Sequence, residues 1–264
     1  MRKWIKIVML IVICVSSVTL WFYSRKQQQE KYLHRPTVHL DTQNSIALLN
    51  EMELIQALKS TNLYYDSIQR KNVDLKQIES YLLALNEIEK VQVFMELSGR
   101  WHLDVLLRKP ILRVIPEDSD QFYIDSRGKA MWVTSGIRPR ILSVTGLKSN
   151  HWSGRRTKEI INNDSLITIS PLRDSYLISK YVCNSAFYDA LIVQMHYSEE
   201  DGFILIPRIG YHKIILGNAT SYDEVVEKFN KLTTFYKEVI PYEGWGKYHT
   251  VNLKFKDQIV AKKK

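Results

Sequence analysis

Residues 189–217, DALIVQMHYSEEDGFILIPRIGYHKIILG, decide the fold because they contain three strand-like segments in succession. The segments are rich in apolar and β-branched residues, and they cover Leu191–Tyr197, Phe203–Pro207 and His212–Leu216. The letters EEDG and IG between them are typical of tight turns. Because short turns join antiparallel neighbours, the stretch predicts an antiparallel sheet in the C-terminal half of the chain.

An amphipathic helix and a last strand follow this sheet. In SYDEVVEKFNKLTTFYKEV, residues 221–239, Ser221 can cap the helix and Glu224 stands at the capping-box position. From Val251 onward the apolar residues Val251, Leu253 and Phe255 alternate with polar ones. This period of two predicts a half-buried strand, which we place at the edge of the sheet because it is the last element of the predicted pattern.

The region before the sheet predicts a smaller unit of its own. Thr37–Asp41 reads as a strand, and NEMELIQALKS (50–60) and VDLKQIESYLLAL (73–85) read as helices, the second capped by Asp74. Residues 91–107 alternate on both sides of a Ser-Gly-Arg turn and predict a hairpin. We therefore expect two helices packed on one face of a small sheet. Residues 148–182 give no pattern that we can assign.

The N-terminal residues 1–26, MRKWIKIVMLIVICVSSVTLWFYSRK, predict a transmembrane helix with a short cytoplasmic stub. The uncharged run from Ile7 to Tyr23 is near the lower length limit for a spanning helix, and its aromatic end is typical of the membrane interface. The short tail favours an N-in topology, with residues 27–264 outside the cytoplasm. A cleaved signal peptide and a lipoprotein signal at Cys14 remain alternatives, although the apolar run continues past Ser17 and Ile13 is bulky for a lipoprotein site. The predicted anchor residues are Ile7, Val8, Leu10, Val12, Val15, Val18, Leu20, Trp21, Phe22 and Tyr23.

The charge distribution argues against nucleic acid as a partner. The net charge of +9 comes from +6 in the first 35 residues and +3 from the final three lysines, whereas residues 36–261 are neutral. A nucleic-acid-binding domain needs a basic face, which this neutral region does not predict.

No pattern in the sequence predicts catalysis, a metal site or a cofactor. The seven histidines are scattered, and there is no Cys-x-x-Cys, glycine-rich phosphate loop or nucleophile elbow. We expect no enzyme activity and no cofactor, although an envelope hydrolase with a site assembled by folding stays open as an alternative.

Several short motifs, in order along the chain, resemble the FtsQ/DivIB family of bacterial cell-division proteins. They are VDLKQIESYLLALNEIEKVQVF (73–94), LLRKPILRV (106–114), YIDSRGKAM (123–131), ILSVTG (141–146) and VNLKFKDQIVAKKK (251–264). The resemblance implies a single-pass inner-membrane protein with periplasmic domains that is septal during division. It implies an α+β fold, in which a POTRA-like domain is followed by a mostly antiparallel β domain with a late helix and an edge C-terminal strand.

The resemblance completes the predicted domain organisation. The segments are 1–26 stub and transmembrane helix, 27–36 linker, 37–109 POTRA-like domain, 110–260 FtsQ-type β domain and 261–264 basic tail. A POTRA-bearing adaptor for secretion or outer-membrane assembly remains an alternative to the division role.

The resemblance also implies the partners FtsB and FtsL, and through them the septal peptidoglycan synthases FtsW and FtsI. The terminal strand would pair with FtsB, with Val251, Leu253 and Phe255 toward the domain. An ordinary edge strand protected by lysines is the alternative. The residues expected to face outward are Tyr248, Thr250, Asn252, Lys254 and Lys256, and Phe235 and Tyr236 in the helix would extend the surface. The predicted partner-binding residues are therefore Tyr248, Thr250, Val251, Asn252, Leu253, Lys254, Phe255, Lys256, Phe235 and Tyr236.

Overall fold

The computed structural model describes residues 2–96, 98–132, 137–152 and 170–264. The chain divides into two compact units, residues 1–107 and residues 108–264. The α+β class predicted from the sequence is confirmed, with an apolar N-terminal helix and a large, mostly antiparallel sheet in the second unit.

Helix α1 (Arg2–Gln29) carries the predicted anchor residues. By length and composition, Met9–Gln27 could cross a membrane, with a mean hydropathy of 1.3 and none of its side chains buried against the protein. An apolar helix that covers none of its surface with protein needs an apolar environment, which a bilayer supplies. The helix runs beyond the predicted boundary at residue 26, so the predicted linker is partly helical.

The rest of the first unit has the element order strand, helix, helix, strand, strand. Its elements are β1 (Thr37–Asp41), α2 (Glu51–Ser60), a 3₁₀ turn (Arg70–Asn72), α3 (Leu75–Leu83), β2 (Ile88–Met95) and β3 (Trp101–Leu107). Strand β3 lies in the centre, antiparallel to β2 and parallel to β1.

Local signals begin both helices of this unit. Asn50 and Glu53 form a reciprocal capping box at α2. The Asp74 carboxylate accepts hydrogen bonds from the backbone N–H groups of Lys76 and Gln77, so the predicted cap of α3 is confirmed. Both helices pack on one face of the sheet around Trp101, which is 1% exposed.

The second unit contains nine strands and four helices among its described residues. They are β4 (Pro110–Val114), β5 (Phe122–Asp125), β6 (Ala130–Met131), β7 (Leu142–Thr145), a 3₁₀ turn (Ser149–Trp152), α4 (Leu172–Cys183), α5 (Ala186–Leu191), β8 (Ile192–Ser198), β9 (Gly202–Pro207), β10 (Lys213–Gly217), α6 (Tyr222–Glu238), α7 (Ile240–Glu243), β11 (Tyr248–Asn252) and β12 (Val260–Lys263). Of the stretch 148–182 that had no assignable pattern, residues 153–169 lie outside the described part.

These nine strands form one sheet in the order β12-β11-β10-β9-β8-β7-β4-β5-β6. Five of its neighbouring pairs are antiparallel, and the pairs β4–β7, β7–β8 and β10–β11 are parallel. A row of buried residues crosses the sheet in register: Val114, Val144, Met195, Leu205, Ile214 and Val251. Helices α4 and α6 contribute to the same core.

The C-terminal edge of this sheet differs from the sequence prediction. The predicted edge strand, β11, lies between β10 and β12, so it is an internal strand. The true edge is β12, in which Ala261 stands opposite Val251. Most of the segment predicted as a basic tail, residues 261–264, therefore belongs to a strand. The prediction was wrong here because β12 has only four residues, too few to show alternation.

Candidate partner-binding edge

Strand β12 ends the nine-stranded sheet, and within the described residues no further strand pairs with its outer side. The N–H of Lys264, the residue after β12, donates to Lys247 O at 3.1 Å and so points inward, toward the β11 side. Because backbone direction alternates along a strand, Ala261 and Lys263 direct their N–H and C=O groups outward. The outer edge thus presents hydrogen-bonding groups that another strand could use.

The side chains along β12 divide between the core and solvent. Ile259, just before the strand, and Ala261 pack against the core of the second unit, whereas Val260 is 44% exposed. Lys262 and Lys263 are exposed. Lysines on an edge discourage pairing with a second copy of the same edge, and they favour a partner that carries acidic residues.

The loop between β11 and β12 is held in place by two lysines. The ammonium group of Lys231 on α6 donates to Phe255 O at 3.0 Å and also to the carbonyl of Lys256. Lys254 donates to Glu200 O at 3.1 Å. These bonds, one set from a helix and one from the loop itself, hold the first part of the loop that leads to β12. They also show that Lys254, predicted to bind a partner, already has partners within the chain.

Half of the ten residues predicted to bind a partner are buried, and each of the five is less than 9% exposed: Tyr248, Val251, Leu253, Phe235 and Tyr236. Tyr248 was predicted to face outward, but a bulge between Tyr248 and Thr250 breaks the alternation and turns its ring inward. There it makes an edge-to-face contact with Phe235, with ring centroids 5.3 Å apart. The five buried residues therefore belong to the core on which the edge of the sheet rests.

The other predicted residues lie at the surface or close to it. Thr250 and Asn252 are half-buried on the opposite face of the sheet, and Lys254, Phe255 and Lys256 are exposed in the loop. Phe255 was predicted to continue the apolar side of the strand, but it is 45% exposed because β11 ends at Asn252. The sequence prediction missed Val260, Lys262 and Lys263, whose only signal was an apolar triplet, Ile-Val-Ala, before the lysines.

A comparison with protein families places this edge in context. The model of the family described as FtsQ/DivIB, C-terminal related, matches residues 109–262, which is more than half of the chain. The chain belongs to this FtsQ/DivIB-related family. A search of curated proteins found no match. The matched region begins just before β4 and ends within β12, so the FtsQ/DivIB match covers nearly the whole nine-stranded sheet, including its edge.

The family assignment supports a role in cell division. FtsQ/DivIB proteins form a non-enzymatic scaffold family of division proteins, and helix α1 is consistent with membrane anchoring. Among the described residues, no group of three or more His, Cys, Asp or Glu side chains is placed to hold a metal ion. The family and the geometry both direct attention to protein–protein contacts.

Behind the edge lies an aromatic cluster of two buried residues, His212 and Tyr236, and the half-buried Trp245. It joins the segments that lead into β10 and β11 to helix α6. His212 is 2% exposed, and its Nε2 lies 2.9 Å from the Tyr236 hydroxyl. Burial lowers the pKa of His212, an effect that the neighbouring Gly210 backbone partly opposes. A Cβ at Gly210, where φ is +94°, would lie 2.5 Å from the ring, so this packing requires glycine.

We predict that acidification weakens this part of the FtsQ/DivIB-related unit through His212. The lowered pKa means that the unfolded chain binds a proton more readily than the folded one, so stability is full above about pH 6.5 and falls as the pH drops toward the lowered value. The loss is at most about 1.4 kcal/mol per pH unit. Hydrogen exchange of β10 and β11 at pH 7.5 and pH 5 measures it. The variant His212→Gln should lose this pH dependence, whereas His249→Gln, at an exposed histidine of β11, should keep it.

Proposed function

We propose that this protein is a membrane-anchored, non-enzymatic scaffold of the division machinery that binds FtsB and FtsL. The main observation in support is that no other described strand pairs with the outer side of β12 at the end of the sheet, in a domain that belongs to the FtsQ/DivIB-related family. Through FtsB and FtsL, it would help couple division to the septal synthases FtsW and FtsI. The proposed location is the inner membrane, N-in, with both units in the periplasm and the protein at the septum during division.

Strand addition is the binding mode that this edge supports. An added strand gains affinity from main-chain hydrogen bonds and specificity from its alternate side chains. Ala261 and Lys263 would supply the outward backbone groups, while Lys262 and Lys263 favour acidic residues on the partner strand. The sequence predicted β11 as the docking strand, and we now propose β12 instead. Phe255 and Lys256 remain candidates at the border of this surface.

We propose that the first unit, as the predicted domain 37–109, is POTRA-like. The order strand-helix-helix-strand-strand supports this, with two helices on one face of a three-stranded sheet. Such a unit would act as a spacer beside the membrane or bind a polypeptide at an edge of its own. The same element order favours the alternative of an envelope adaptor in secretion or outer-membrane assembly. A fluorescent fusion distinguishes the two, since a division scaffold concentrates at the septum and an adaptor is spread over the envelope.

The test of docking at β12 is a proline at an outward-facing backbone position. In Lys263→Pro, the N–H that would bond the added strand is lost, while the inward bonds of β12 remain. We expect the affinity for FtsB to fall at least about tenfold, since one main-chain hydrogen bond is lost and the ring obstructs the edge. Binding of FtsB to the full-length protein in detergent or nanodiscs measures this.

Lys263→Ala is the matched control, because it removes the same side chain and keeps the N–H. Its loss of affinity should be small, since the exposed Lys263 side chain makes only a long contact within the chain, 3.8 Å from its ammonium to Glu243 Oε2. Equal binding by the proline variant and the wild type would refute docking at this edge. Equal weakening by both variants would mean that the lysine side chain, and not the backbone, binds the partner.

A further inference from the structure

The 3₁₀ turn Arg70–Asn72 is attached to the chain that leaves helix α1. Leu33 N–H donates to Ile68 O at 2.8 Å, and Arg70 N–H donates to Lys31 O at 3.0 Å. Tyr32 and Gln69 form an isolated β-bridge between these bonds. A turn that is distant in sequence is thereby held beside the end of the apolar helix by backbone bonds, which do not depend on side-chain identity.

This attachment determines how far the turn lies from a membrane that α1 crosses. The uncharged run ends at Tyr23, and Lys31 follows it by eight residues; six of these, up to Gln29, are helical and rise about 9 Å, and the last two add at most about 7 Å. The polar headgroup region adds about 5–8 Å on each side of the hydrocarbon, and charge interactions reach about 8 Å further at physiological salt. The turn therefore lies within reach of the headgroups.

Basic side chains surround this junction. We call Arg25, Lys26, Lys31, Arg70 and Lys71 the basic collar. Four of them are exposed and Arg70 is half-buried, and in the described part of the chain none pairs with a carboxylate. Glu30 is the acidic residue within the same stretch of α1 and its exit. The five basic residues and Glu30 together leave a net charge of +4 directly beside the proposed membrane surface.

The aromatic end of α1 fixes the level of the collar. The side chains of Trp21, Phe22 and Tyr23 are more than half exposed, as is Tyr32. The Arg25 guanidinium lies over the Trp21 ring, 4.6 Å from its centroid. Tryptophan and tyrosine prefer the interface between hydrocarbon and headgroups, so the basic residues that follow them are placed on its aqueous side.

We propose that the basic collar binds the headgroups of anionic phospholipids and thereby holds the first unit against the membrane surface. This goes beyond partner docking at β12 and rests on the proposed membrane anchor. Each basic residue near an anionic surface contributes attraction that salt screens. Because Arg70 and Lys71 belong to the folded unit rather than to the helix, their contact with lipid restrains the unit itself and limits how freely it tilts about the exit of α1.

The test uses the full-length protein in nanodiscs and compares phosphatidylglycerol with phosphatidylcholine. The reporters are the amides of Arg70, Asn72 and Val73, which donate to Lys31, Gln69 and Arg70 and open when the turn leaves its place. We expect their hydrogen exchange to be about tenfold slower in phosphatidylglycerol at low salt. The difference should disappear in 0.5 M salt and in the double variant Arg70→Glu/Lys71→Glu.

Controls separate lipid binding from other causes. Lys213→Glu/Lys237→Glu changes the charge equally at two exposed lysines of the second unit and should keep the lipid effect. A second variant, Lys26→Glu/Lys31→Glu, changes the part of the collar that lies on α1 and its exit, and it should also lose the lipid effect. Unchanged exchange in β3 shows that the first unit is folded. The partner-binding assay at β12 is independent, so each proposal can fail without the other.

Three results would overturn the proposal. The first is equal exchange of the wild-type turn in the two lipids, and the second is an undiminished lipid effect in both collar variants. The third is slower exchange in phosphatidylcholine discs when inorganic phosphate is added, because the site would then bind a soluble anion rather than a membrane. Failure of the protein to enter nanodiscs would remove the anchor and the collar together.

Discussion

Replacing Asp125 with alanine should lower the free energy of unfolding of the second unit by about 3–5 kcal/mol. The carboxylate is 1% exposed and accepts three hydrogen bonds. Arg108 Nη1 donates to Oδ2 at 2.7 Å, and the backbone N–H groups of Arg127 and Lys129 donate to Oδ1 at 2.9 and 2.8 Å. Without Asp125, the mostly buried guanidinium of Arg108 loses its counter-ion, and two turn amides lose their acceptor.

Hydrogen exchange of the β4 and β5 amides in the full-length protein measures this effect, because it reports on the second unit alone. The matched control is Asp118→Ala. That exposed carboxylate also accepts from a backbone N–H and a hydroxyl, both of Ser149, but water can replace it, so the cost should be below about 1 kcal/mol. Similar losses in the two variants would show that burial of the Arg108–Asp125 pair contributes nothing. Asp125→Asn keeps an acceptor for the turn and should fall between them.

The sequence alone predicted only the local half of this arrangement. In YIDSRG, Asp125 reads as a turn residue, and the structure confirms that it accepts from the turn amides. Its ion pair with Arg108 depends on the pairing of β4 with β5, which sets Asp125 opposite Pro110, two residues after Arg108. Strand pairing of this kind is a tertiary property, so no local pattern could predict it.

Elements with one polar and one apolar face were predicted well. The caps at Asp74 and Ser221 lie where the sequence placed them, and each end of β8, β9 and β10 lies within one residue of the predicted bound. Elements buried on more than one side were missed. Strand β4 has four buried residues of five and therefore no alternation. Helix α4 buries Asp174, Ser175 and Ser179 together with apolar residues, which hides its period.

The candidate site was predicted less well than the fold. The alternation of Val251 and Leu253 predicted the last long strand, but the sequence could not indicate that the chain returns to cover it. The return depends on contacts from elsewhere, such as the bonds from Lys231 to the loop carbonyls and the packing of Ile259 on the core. Whether a strand can accept a partner strand depends on whether another strand already pairs with it. That question can be answered only from the order of the strands in the folded sheet.

Replacing Leu253 with alanine should destabilise the second unit by about 2–5 kcal/mol, whereas Phe255→Ala should cost less than about 0.5 kcal/mol. Alternation alone places both side chains on the apolar face. In the structure Leu253 is fully buried and its N–H donates to Ile215 O at 2.8 Å, while Phe255 lies in the loop and is 45% exposed. The alanine variant of Leu253 keeps the backbone bond, so the loss reports only the cavity.

Hydrogen exchange of the β10 and β11 amides measures both variants under the same conditions. Comparable losses would contradict the structure, because they would mean that the strand continues through Phe255 on the core side. The two alanine variants also test where the partner binds. Leu253 supports β11, on which β12 rests, so Leu253→Ala should weaken FtsB binding only as far as it loosens the edge. A variant that weakened binding without faster exchange would instead place Leu253 in contact with the partner, and the docking surface would then have to move from β12 back to β11.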